Sequence, residues 1–279
     1  MTRKIRVGIV ATASRLDPPT AERVAALAAI HQPAVELHFH PHCFLTAGHF
    51  AGSDEARAEA FLAIANDPSF DALWFGRGGY GSGRIADRVL PVLQDAARNK
   101  TYLGYSDAGV LLAGLYARGF PGVVHGPMPA DINRDGGEAA VLRALSFLAS
   151  RAADTLEPSI RPSDKAAAFN LMTFSQLIGT PLQPDLAGHV LMLEEVSEYM
   201  YRIDRSLFHV TSNPAVRRVA GIRLGRCSAI PENDPDFGQT EVEVVRHWCE
   251  KSGIPYLGRA DIGHDAGNKI VPFGPFQVA

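Results

Sequence analysis

Three widely separated segments carry side chains that could act together on an acyl group. Gly104-Tyr105-Ser106-Asp107 sits where an apolar run meets a helical one. In that setting a serine projects from a tight turn, and the unpaired N–H groups of the following helix can receive a developing oxyanion. Glu194, Glu195 and Glu198 crowd the end of the apolar run "VLMLEEVSE", and His264 lies in the turn "IGHDAGN". Their chain order, serine then glutamate then histidine, is that of α/β-hydrolase triads. A serine hydroxyl is a weak nucleophile near neutral pH, so a histidine must take its proton and an acid must orient the imidazole. Each residue also has an ordinary reading: Ser106 or Asp107 as a helix cap, the glutamates as a solvated strand end, His264 as a solvated turn.

Two further segments invite chemistry. "LWFGRGGYGSGR", Leu73 to Arg84, sets Gly76, Gly78 and Gly81 in G-x-G-x-x-G register. A dinucleotide fingerprint belongs after the first strand, with an acid roughly twenty positions on. Here the loop follows a later strand and the nearest acid is Asp107, so no dinucleotide is expected. The glycines still imply close approach to a ligand or left-handed backbone, with a bare turn as the alternative. "HFHPHC" places His38, His40 and His42 at strand spacing beside Cys43. Pro41 breaks the alternation and no acidic ligand lies near, so surface or partly buried histidines are expected rather than a metal site.

The elements that must position these groups alternate. "IRVGIVA", "AVELHFH", "DALWF", "TYLGYSD" and "GVVHGPM" read as strands, separated by helical segments such as "PPTAERVAALAAIH" and "DEARAEAFLAIAND". The helix from Gly83 to Asn99 is expected to be disturbed at Pro91. Such alternation predicts a parallel sheet covered on both faces, with ligand beyond the carboxyl ends of its strands. Past Asp131 the texture changes to a crossover, followed by strand candidates "GHVLMLEEV", "VAGIRLGRC" and "IPYLGRADIGH", with helices near "YRIDRSLFHV" and "QTEVEVVRHWCEK".

Composition narrows the class. With 279 residues, 46% hydrophobic and 20% charged, the chain can bury a sizeable core, and two domains are expected. A net charge of -3 without a basic run argues against a nucleic-acid partner and favours a small or modest-sized ligand. Cys43, Cys227 and Cys249 are far apart and odd in number, so a reducing compartment is expected. "MTRKIRVGIVATASR" imitates a secretory signal, but its apolar part spans only about seven residues. No run approaches the roughly 18 apolar residues that span a bilayer. A cytoplasmic protein with no membrane partner is the expectation.

"LWFGRGGYGSGR", "LGYSD", "VVHGPM", "VLMLEEVSEYMYRIDRSL" and "IGHDAGNKIVPFG" occur in the order found in one family. With them the chain resembles the serine-dependent LD-carboxypeptidases, the muramoyltetrapeptide carboxypeptidases of peptidoglycan recycling, over most of its length. The resemblance implies an α/β fold: a parallel-sheet domain of flavodoxin or Rossmann type over residues 1–140, a crossover over 141–165, and a smaller α/β domain with a mixed sheet over 166–279. It implies Ser106 as nucleophile, Glu194 as triad acid and His264 as base, with the Gly79 and Asp107 N–H groups as oxyanion donors and no metal or other cofactor. Glu195 and Glu198 are then neighbours. Arg77, Arg84 and Arg202 are candidates for the substrate carboxylate. Asn170, in "AAFNLMTF", matches a second-domain motif whose usual paired glycines are missing here. A homodimer acting on murein tetrapeptide is implied. The alternative within the family is a microcin self-immunity amidase acting on peptidyl or aminoacyl nucleotides, which needs an aromatic surface for the base. From other classes, a metallohydrolase built on His38, His40 and His42 would lose activity with chelators, and a non-catalytic binding protein of the same fold would bind ligand without turnover.

Overall fold

The computed structural model describes residues 3–277; Met1 and Thr2, which open the signal-like segment, and the last two residues lie outside it. The first sheet is built from β1 (Ile5–Val10), β2 (Val35–Phe39), β3 (Ala72–Phe75), β4 (Thr101–Gly104) and β5 (Val123–His125), parallel and ordered β2-β1-β3-β4-β5. Helices α1 (Pro18–His31), α2 (Asp54–Ala65), α3 (Ser82–Val89), α4 (Gly109–Ala117) and α5 (Gly137–Ser150) cover its faces. Local chemistry sets their starts. Asp17 accepts the Thr20 N–H ahead of two prolines in α1, and Ser53 accepts the Ala56 N–H ahead of α2. Helix α3 stops at Val89, and Pro91 sits in the 3-10 turn that follows.

The second sheet comprises β6 (Ala166–Asn170), β7 (Val190–Val196), β8 (Gly221–Ser228) and β9 (Tyr256–Arg259), with α6 (Leu171–Leu177), α7 (Met200–Ser212) and α8 (Glu241–Ser252) among its connections. The expected mixed sheet is corrected here: all three strand pairs are parallel, because each connection contains a helix that carries the chain back across the sheet. The antiparallel pairing occurs elsewhere. Strand β10 (Val271–Pro272) crosses to the first sheet and pairs with β5, Val271 opposite His125. Strand β6, directly after the expected crossover, is not among the strands read from sequence; all its residues are buried, so tertiary burial overrides the weak β propensity of three alanines.

One apolar core joins the two sheets. Leu111 and Leu112 of α4 share it with Phe169, Phe174, Leu193 and Phe273. Phe169 stacks on Phe174 at 4.8 Å and meets Phe273 edge-on at 5.1 Å. This packing sets the turn after β4 against the end of β7 and the loop after β9. Among the described residues, no helix is long and apolar enough to cross a membrane.

Candidate active site

The turn after β4 is held in an unfavourable conformation. Ser106 has φ +58°, a left-handed backbone that costs a non-glycine residue about 1–3 kcal/mol. Its surroundings fix it. Gly104 admits β3, since a Cβ there would fall 2.8 Å from the Phe75 ring. The Tyr105 hydroxyl donates to Asp131 Oδ1 at 2.7 Å. Asp107 accepts the Ser82 N–H at 2.9 Å and the Gly81 N–H at 3.3 Å, tying the turn to the glycine loop at the start of α3. The helix-cap reading of this turn fails: neither Ser106 nor Asp107 caps the helical residues that follow. Burial raises the Asp107 carboxyl above the ordinary carboxylate range, against the lowering effect of those hydrogen bonds.

The glycines are required by close approach. A Cβ on Gly78 would lie 2.9 Å from Ser106 Oγ, and one on Gly79, at φ +121°, would collide with the Ser14 side chain. The Gly79 N–H finds no acceptor among the described residues. The Asp107 N–H lies in the first turn of a 3-10 segment, where no intrahelical carbonyl is available. Beside Ser106, then, are two backbone donors without partners among the described residues.

Glu194 sits at a register irregularity in β7 and pairs with Asn170 of β6; the bulge re-aims it between regular neighbours. Gly225 makes room for it, since a Cβ there would stand 2.8 Å from Glu194 Cβ. Fully buried, Glu194 meets His264 at 2.6 Å, Nδ1 to Oε2, and this bond fixes the imidazole tautomer with its proton on Nδ1. The His264 ring lies 4.8 Å from that of Tyr105, the residue before Ser106. Burial favours the neutral imidazole, but the charge and hydrogen bond of Glu194 outweigh it and hold the His264 pKa above its ordinary value. The His264 loop is braced from outside. Arg226 bonds both carboxylate oxygens of Asp265 and reaches Asp261 Oδ1 at 2.5 Å, and Arg143 donates to the Ala266 and Asn268 carbonyls.

Ser106, Gly78, Gly79 and His264 line one cavity of about 410 Å³ together with Tyr105, Arg77, Asp131 and Arg134. A hydroxyl, an acid-paired imidazole and the Gly79 backbone on one cavity, with the Asp107 N–H directly after the hydroxyl-bearing residue, are the parts of an acyl-transfer centre.

Residues 7–126 match the model of the LD-carboxypeptidase N-terminal domain and residues 166–276 that of the LD-carboxypeptidase C-terminal domain. A Synechocystis sp. protein provisionally named a carboxypeptidase is 32% identical, over 81% of this chain and 75% of its own. The chain belongs to the LD-carboxypeptidase family. The murein tetrapeptide carboxypeptidase of Pseudomonas aeruginosa is 27% identical over 98% of this chain and 92% of its own. In fold, the muramoyltetrapeptide carboxypeptidase of Oxalobacter formigenes superposes with a TM-score of 0.78 at 21% identity, covering 96% of this chain and 92% of that one. The microcin C7 self-immunity protein MccF, in complex with glutamyl sulfamoyl guanosine, superposes with 0.79 at 17% identity, covering 98% and 92%.

This LD-carboxypeptidase does not gather every residue singled out by sequence. Of the arginines Arg77, Arg84 and Arg202, only Arg77 lines the cavity. Arg84 is engaged with Asp54 and the Phe50 ring, and Arg202 of α7 pairs with Glu198, just ahead of that helix. Asn170 is turned to structure: it caps α6 through Thr173 N–H and donates to Glu195 Oε1 at 2.7 Å. Glu195 also accepts the Met172 and Val196 N–H groups, so this second buried acid joins β6, α6 and β7. The histidine segment is likewise dispersed. His38 packs on Phe70, His40 accepts the His42 N–H, His42 meets the Ala56 carbonyl, and Cys43 donates to the Ile9 carbonyl with its thiol pushed up to about 12 by burial. The sequence reading missed Asp131 and Arg134 in "PADINRDGG"; their signal was a charged pair at i, i+3 directly after "VVHGPM".

Proposed function

We propose that this enzyme is a serine LD-carboxypeptidase that releases the terminal D-alanine of murein tetrapeptide, cutting between the L-centre of a diamino acid and D-alanine. The observation that carries the reading is His264, bonded to the buried Glu194 at 2.6 Å and lining the same cavity as Ser106. Ser106 Oγ attacks the scissile carbonyl while His264 Nε2 takes its proton, and Glu194 holds Nδ1–H and stabilises the imidazolium. The Gly79 and Asp107 N–H groups receive the oxyanion; losing one such donor typically lowers the rate by about 100- to 1,000-fold. His264 then protonates the D-alanine nitrogen as the C–N bond breaks, and a water, deprotonated by His264, cleaves the acyl-Ser106 ester. The same reading places the enzyme in the cytoplasm as a homodimer, which fractionation and sedimentation test.

The likeness to MccF keeps a nucleotide amidase in view, but the lining of this cavity favours a peptide. Trp74 is buried with its Nε1–H on the Pro127 carbonyl, and Trp248 is engaged by Asp204. Tyr105 is the one Phe, Tyr or Trp on the cavity wall, leaving little to stack a base. Turnover of tetrapeptide and of an aminoacyl sulfamoyl adenosine should be compared side by side. D-alanine release that persists in Ser106→Ala refutes the nucleophile, and faster turnover of the nucleotide refutes the substrate.

A further inference from the structure

An enzyme that removes one C-terminal residue must recognise the free carboxylate of the residue it releases. We infer that Arg134, held by Asp131 on the cavity wall, is the anchor for that terminal carboxylate and so sets exopeptidase specificity; the inference rests on the hydrolytic reading above.

The support is geometric. Arg134 lines the cavity with Ser106 and His264. Its Nε donates to Asp131 Oδ1 at 2.8 Å, and among the described residues neither terminal nitrogen of its guanidinium makes a hydrogen bond. A planar fork with one edge fixed and the other open matches the two oxygens of a carboxylate. Asp131 is itself immobilised: it is 4% exposed, its Oδ1 also accepts the Tyr105 hydroxyl, and its Oδ2 accepts the Met128 N–H at 2.8 Å. Tyr105 precedes Ser106, so anchor and nucleophile share one rigid connection through a single carboxylate. Arg77, the other arginine on the cavity, has only a 3.3 Å bond to the Arg15 carbonyl and is not oriented by an acid. Electrostatics agree with proximity: the positive charge of Arg134 opposes protonation of His264. A carboxylate on Arg134 would cancel that opposition, strengthening the base when substrate is in place.

The test uses the full chain carrying Ser106→Ala, which holds ligand without turnover, and calorimetry with murein tetrapeptide and its terminal carboxamide. We expect the carboxylate to bind about 100-fold more tightly than the amide, the scale of a lost charged hydrogen-bond pair. Adding Arg134→Gln should bring the two within about threefold of each other, Arg134→Lys should recover part of the gap, and Arg77→Gln should leave most of it. Arg134 is substantially exposed, so these variants are expected to fold. In the unliganded chain, Arg134→Gln should also move the His264 titration, followed by NMR, to higher pH, because the opposing charge is lost. Absence of any preference for the carboxylate, or a preference that survives Arg134→Gln, overturns the anchor. Discrimination through Arg134 without D-alanine release by the unsubstituted chain would leave the anchor standing and sink the hydrolytic reading.

Discussion

Gly78→Ala isolates the dependence of the proposed nucleophile, Ser106, on the glycine loop. Gly78 lies outside the left-handed region, so alanine adds no backbone strain. Its Cβ would sit 2.9 Å from Ser106 Oγ and 3.0 Å from Ser106 Cβ, where ordinary contact begins near 3.4 Å, a shortfall of about 0.5 Å. The serine turn cannot simply retreat, because Tyr105 and Asp107 fix it on either side. The hydroxyl must therefore shift by several tenths of an ångström. Since a displacement of about 1 Å can lower the rate about 100-fold, kcat/KM should fall about 10- to 100-fold. The overpacking should reduce stability by about 1–3 kcal/mol. Steady-state D-alanine release and the labelling rate with a fluorophosphonate should fall together. Gly83→Ala is the control: it lies in α3, its nearest neighbour would be Val110 at 3.8 Å, and it should be as active as the parent and slightly more stable. A folded Gly78→Ala protein retaining more than about a third of parental activity would show that the loop does not set the position of Ser106, against the misplacement argument.

Glu194→Gln should lower kcat about 10,000-fold by releasing the imidazole tautomer. In the proposed mechanism the neutral imidazole is the base and Glu194 raises its pKa, so the acidic limb of kcat/KM should lie above the ordinary histidine value and move to lower pH in the variant, as a pH–rate profile would show. The same sign governs stability: the charged His264–Glu194 contribution is complete below the ordinary histidine pKa and lost as pH rises through the raised folded value, a dependence that denaturant titration should find weakened in Glu194→Gln. Asp107→Asn can accept only one of the Gly81 and Ser82 N–H groups as well as before, so chemical denaturation should show a loss of about 1–3 kcal/mol, with slower acylation. Phe169→Ala opens the core between the sheets and should lower stability by about 3–5 kcal/mol by the same measurement, without changing which substrates are cleaved.

Much of this arrangement was legible because its signals are local. Alternating apolar runs and helix starts gave the first sheet, and the motifs around Ser106, Glu194 and His264 are short segments at strand ends. What sequence concealed is decided over distance. Nothing in "AAAFN" favours a strand until both faces are buried, and Val271–Pro272 becomes one only because β5 offers an edge. Arginines could be nominated for the carboxylate but not sorted, since Arg84 and Arg202 are occupied by acids whose nearness depends on folding. Asn170 was picked as a substrate contact, whereas its amide is engaged by Glu195, a bond across two strands that residue type alone does not indicate.

The return of β10 to the first sheet gives the molecule an order of assembly. On a ribosome, β1 to β5 can gather while the rest of the chain is still being made, and Ser106 would emerge early as an ordinary unreactive alcohol. The imidazole arrives only after β9, on a loop pinned between Arg226 and the closing β10 strand. With the proposed triad, competence is thus deferred until the loop after β9 has been made, and chains stopping short of it would carry Ser106 with no imidazole to activate it.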